Sequence, residues 1–94
     1  MLDPLVRKLV LDVLKPHEPS IYELASRLAA CHGIDRVNIS LAEISQNTES
    51  IKIVIEGAAI DIEAVRRCIE EQGAVVHSVD EVEVIRKTML KHRE

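Results

Sequence analysis

Aromatic side chains are almost missing from this chain: Tyr22 stands alone among 94 residues, with no phenylalanine and no tryptophan. Its core must therefore be aliphatic. Binding of single-stranded nucleic acid by stacking bases on strand aromatics is argued against for the same reason, since no strand-like segment carries a ring. Positive charge is also short. Twelve Lys and Arg face sixteen Asp and Glu, a formal net charge of −4, which removes any general attraction to phosphate backbones. The local exception is the basic tail Arg86, Lys87, Lys91, His92 and Arg93, read as a solvated helix face or frayed end. No apolar run approaches the roughly 18 residues of a membrane-crossing helix. The start Met1-Leu2-Asp3-Pro4 lacks a signal-peptide layout, so the expected compartment is the cytoplasm. There are only two cysteines, Cys31 and Cys68, without the close spacing of a zinc ligand set or a redox motif. Both fall in helical segments and are expected to be small buried hydrophobes.

Apolar residues make up 47% of the chain and charged residues 30%, the balance of a folded domain rather than of a disordered segment. Its length suits one domain over 1–94, with a core of about 5–85 and the tail at 86–94. From Leu5 to Leu14 the residues alternate, with Leu9, Leu11 and Val13 on one side and Lys8, Val10 and Asp12 on the other, which predicts a strand. Pro16 and Pro19 break it. Ser20 and Glu23 then form a capping box ahead of Ile21, Leu24, Ala25 and Leu28 at helical spacing, with Gly33 as the closing residue. Period two returns over Arg36 to Ile44 and over Ile51 to Ile55, and the polar stretch Ser45 to Ser50 between them predicts a hairpin. Asp61 caps a second helix bearing Ile62, Val65 and Ile69, Gly73 ends it, and a long valine-rich strand runs from Ala74 to about Ile85.

Strand, helix, strand, then strand, helix, strand is the order of an α+β, ferredoxin-like βαββαβ domain. Right-handed crossovers give an antiparallel sheet of order 4-1-3-2 with both helices on one face. On the open face the pattern gathers Val10, Leu14, Ala42, Ile44 and Val54 beside Lys8, Asp12, Ser40 and Lys52, too apolar for a surface left in water. Two edge strands, the last one long, add unpaired backbone groups. Self-assembly is the leading physical expectation.

The strings LVLDVLKPHEPS (Leu9 to Ser20), VNISLAEI (Val37 to Ile44), NTESIKIVIEG (Asn47 to Gly57) and VHSVDEV (Val76 to Val82) together resemble the archaeal ArCR family, a domain of unknown function. That resemblance implies a ferredoxin-like fold and closed rings of identical subunits. It brings no established enzymatic activity, substrate or catalytic residue with it. The chain departs from the family pattern at Glu83 to Lys87, where a small-residue Ala-Gly step is usual, and at Ala74, which replaces a glycine.

The expected topology brings the end of the first strand, the hairpin loop and the start of the last strand to one end of the sheet. His17, Glu18, Glu43, Glu49 and His77 are candidates to converge there, and with Asp12 they supply groups that a divalent metal ion accepts. The plainer alternative makes His17 and Glu18 solvated loop residues and His77 a hydrogen-bonded strand residue. Asp12 is conspicuous because a carboxylate in a central strand needs a partner. Asp80 and Glu81, adjacent in a strand, are expected on opposite faces, so that at most one joins Asp12. No Cys or Ser nucleophile has an evident base; Cys31 beside His32 does not place the two side chains together on a helix. The functional expectation is a ring-forming homo-oligomeric binding or regulatory module, with a metal or small-ligand site at subunit boundaries. Its alternatives are a small enzyme with carboxylate and histidine groups at a subunit junction, and a scaffold for a protein partner.

Overall fold

The computed structural model describes residues 4–87, so the remainder of the basic tail, Lys91, His92 and Arg93 included, lies outside the described residues. Six elements follow in the order β1 (Pro4–Pro16), α1 (Ile21–Ala29), β2 (Arg36–Ile44), β3 (Thr48–Glu56), α2 (Ile62–Glu71) and β4 (Val75–Arg86). The strands form one antiparallel sheet of order β2-β3-β1-β4, the predicted order read from the other edge. The fold is ferredoxin-like.

Local chemistry sets the helix starts as the sequence predicts. The Ser20 hydroxyl accepts from the Glu23 amide at 3.1 Å while the Glu23 carboxylate accepts from the Ser20 amide at 3.1 Å, so two otherwise orphaned donors are satisfied reciprocally. The Asp61 carboxylate accepts from the amides of Glu63 and Ala64. The first helix closes earlier than expected, with Ala30 as its C-cap; Gly33, at φ +85°, turns the chain three residues later. Gly57 packs so tightly against the Gly33 carbonyl that a side chain there would collide with it. These two glycines let the two helix–strand connections meet.

Leu9, Leu11 and Val13 of β1 and Ile51, Ile53 and Ile55 of β3 are fully or almost fully buried beneath Leu24 and Leu28 of α1 and Val65 and Ile69 of α2. Removing so much aliphatic surface from water is the main stabilising contribution, at about 25 cal/mol per Å². Cys31 and Cys68 both pack against this core, but they are not free thiols: a disulfide joins them across 37 residues of sequence, linking α2 to the turn just after α1, where Cys31 falls outside the helix expected to hold it. The pair is a partly buried covalent cross-link rather than the small buried hydrophobes expected from the sequence. Their spacing carried no redox signal because the pairing depends on two helices lying side by side, which only the fold supplies.

Irregularities in the strands redirect side chains. On β2 the register against β3 slips at Ala42, so that Glu43 pairs with Ser50 and Ile44 with Glu49. One extra residue inverts the alternation beyond it. Ile44, expected on the open face, instead shares the helix-side face with Glu49 and Lys15. On β4 the register against β1 slips at His77 and again at Asp80. Together with a third slip, at Arg7 of β1, this aligns Val76, Val79, Val82 and Val84 opposite Val13, Leu11, Leu9 and Val6, all on the helix side, which strict alternation would not have done.

Candidate functional site

The expected gathering at the sheet end forms in part, around a residue not singled out from the sequence. Lys15 continues the inward series Leu9, Leu11, Val13 and is only 1% exposed. Its ammonium donates to the carbonyls of Pro16 at 2.9 Å, His17 at 3.3 Å and Pro19 at 2.7 Å, and lies 2.8 Å from the Glu49 carboxylate. A buried ammonium is tolerated because all its hydrogens find acceptors and its charge finds a partner. The alternation itself was the available signal for Lys15.

His17 completes the cluster. Its Nδ1 lies 3.0 Å from Glu49 Oε2 and its Nε2 lies 2.9 Å from the Gln46 carbonyl. Both neighbours are acceptors, so the doubly protonated ring satisfies both and the neutral ring only one. The bond to Glu49, followed by that to Gln46, holds the imidazole pKa above its ordinary 6.5. Glu49 moves the other way, below its ordinary 4.5, through the hydrogen bond from Lys15 first and that from His17 second. Chemically this is a fully used set of groups: it ties the loop after β1 to the β2–β3 hairpin.

The other candidates lie apart from it. Glu18 is exposed in the same loop; Glu43 is exposed on β2 opposite Ser50; His77 is exposed at the β4 irregularity between the pairs formed by Ser78 and Val76. Asp12 sits half-buried in the middle of β1 on the open face, opposite Lys52 on one side and Ser78 on the other. Among the described residues, no three His, Cys, Asp or Glu side chains come together as a group able to hold a metal ion.

Asp12 instead borders a second feature. Val10, Asp12, Ala42, Lys52, Asp80 and Glu81 line a shallow, open depression of about 350 Å³ on the open face. Asp80 and Glu81 both line it, contrary to the strict alternation, because Asp80 is the extra residue of the β4 irregularity. Lys8 lies 3.3 Å from Glu81, and the Ser78 hydroxyl donates to Asp80 at 2.7 Å. The floor is aliphatic and the rim carries both signs of charge. Such a surface suits contact with another polar surface better than capture of one bare ion.

A ferredoxin-like sheet with one face uncovered, and with Lys15, His17 and Glu49 tied into structural bonds at its end, defines an α+β domain. The model of the uncharacterised ArCR family matches residues 7–94, and the chain belongs to that family. It is similar to an uncharacterised protein of the archaeon Methanocaldococcus jannaschii, at 46% identity over 77 residues, covering 82% of this chain and 79% of that protein. Among the described residues no helix is long and apolar enough to cross a membrane.

Proposed function

We propose that this chain is the subunit of a homo-oligomer that closes into a ring and serves as a cytoplasmic binding or regulatory module. The observation that carries the reading is the apolar strip on edge strand β4. Val79, Val82 and Val84 share the helix-side face of this edge strand yet remain 41%, 44% and 50% exposed in the single chain. The opposite edge strand, β2, carries Leu41 and Ile44 on the same face at 45% and 61% exposure. Isolated exposed aliphatics are ordinary, but two series along two unpaired strand edges are what an assembly through those edges needs.

A second copy is the favoured occupant because the two edges are complementary. β2 and β4 run in opposite directions, so joining one to the other extends an antiparallel sheet, and a head-to-tail contact of this kind generates a ring when its rotation closes. The depression on the open face would then recur around the ring and is the favoured position for a polar ligand or partner surface. Light scattering coupled to size-exclusion chromatography tests the assembly: a multiple of the 10.5 kDa chain mass is expected at micromolar concentration, and a monomer would overturn the reading.

A further inference from the structure

The cross-strand rows of the sheet carry more information than the presence of two edges. On the open face one row runs Arg36 on β2, Glu56 on β3, Lys8 on β1 and Glu83 on β4, alternating in sign at every strand. It begins on a cation at one edge and ends on an anion at the other. The next rows run Asn38, Val54, Val10, Glu81 and then Ser40, Lys52, Asp12, Ser78. Between them on the helix side run Val37, Ile55, Leu9, Val82 and Ile39, Ile53, Leu11, Val79, followed by Leu41, Ile51, Val13, Val76. Each row therefore ends at its two edges in residues that suit one another: Arg36 with Glu83, Asn38 with Glu81, Ser40 with Ser78, and aliphatic with aliphatic in the rows between.

We infer that β4 of one copy pairs with β2 of the next in unshifted register, so that every row continues across the subunit boundary and Glu83 of one copy faces Arg36 of its neighbour. This deepens the homo-oligomer reading and rests on it. Opposite charges directly across a strand pair favour the contact and like charges oppose it, so the charged row fixes the register that the aliphatic rows alone would leave free to slip. Among the described residues neither Arg36 nor Glu83 has an ion-pair partner within its own chain, whereas Lys8 is engaged by Glu81. The irregularities at His77 and Asp80 are what bring Val76, Val79 and Val82 into step with Leu41, Ile39 and Val37.

The test places one cysteine on each edge of the same row, as Ser40→Cys with Ser78→Cys. Within one chain the two positions are three strand spacings apart, about 14 Å, too far for a disulfide. Oxidation of the double variant is expected to give a covalent ladder of chains on a non-reducing gel, with peptide mapping to the two new cysteines, while each single variant stays one chain long. Covalent dimers from Ser78→Cys alone would overturn the inference in favour of a two-fold β4–β4 contact. An oligomer that persists in solution without any ladder would overturn it too while leaving assembly standing; a monomeric parent protein would overturn both. Charge exchange gives an independent readout: Glu83→Arg and Arg36→Glu are each expected to weaken assembly at least tenfold, and the double exchange to restore it. Equal assembly in all four proteins would contradict the register.

Discussion

Lys15 and Glu49 face each other at 2.8 Å beneath the loop that follows β1, and His17 reaches the other oxygen of the same carboxylate at 3.0 Å. One carboxylate thus joins a buried cation on β1 to an exposed imidazole in the loop. The consequence is structural: the carbonyl of Pro16, at the end of β1, and those of His17 and Pro19 in the loop turn inward to the same ammonium. Replacing Lys15 with Met should cost roughly 2–4 kcal/mol, since the carbonyls and Glu49 lose their common donor. Urea unfolding of the two proteins measures it, and an unchanged midpoint would show that the ammonium is dispensable.

The same cluster predicts a pH signature with a definite sign. His17 has a raised pKa, so its stabilising contribution is full below its ordinary 6.5 and is lost as pH rises through the raised value. Glu49 has a lowered pKa, so its contribution is full above its ordinary 4.5 and is lost as pH falls through the lowered value. The difference in melting temperature between the parent and His17→Gln should therefore be largest near pH 5 to 6 and shrink on the alkaline side. A constant difference from pH 5 to 9 would remove His17 from the cluster's energetics.

The Cys31–Cys68 bond predicts a second stability effect. Reduction, or replacement of both residues by Ser, should cost about 2–4 kcal/mol by freeing the chain between the helices. Thiol counting on the denatured, unreduced protein should find none free, and two titratable thiols per chain would contradict the bond.

Gly57 offers a sharper packing test. Ala at that position would drive its methyl into the Gly33 carbonyl, with a predicted cost of about 1–3 kcal/mol. Calorimetric melting reads this directly, and a neutral effect would mean that the two connections are not in contact.

The edge strip makes a prediction about assembly rather than folding. Val82→Lys places a charge where the side chain is 44% exposed in the single subunit, so the fold should survive. Its melting temperature, measured below the dissociation concentration, should match the parent's, while its assembly weakens. Equal assembly would take β4 out of the interface.

Much of this architecture is legible in the residues themselves. Ser20 with Glu23, and Asp61 with the two amides it caps, announce their helices through short-range bonds that need no tertiary context. Alternation placed Leu9, Leu11 and Val13 inward, and strand order followed from handedness. The misses share one cause, which is that they depend on long-range register. Ile44 changed face because Ala42 adds a residue to β2, and Asp80 joined Glu81 at the depression because β4 slips beside it. The disulfide required two helices to lie together. His17 and Glu49 converge on Lys15 and not with Glu18, Glu43 or His77: Glu18 is exposed in the loop, and the register slips leave Glu43 exposed on β2 and His77 exposed on β4.

Assembly through the sheet edges is the central claim, and native mass spectrometry of the intact protein tests it most directly, with a chelator-treated sample beside it to report retained ions. One closed species at an integral multiple of the 10.5 kDa chain mass, unchanged on tenfold dilution, is expected. A spectrum of monomers alone would contradict it.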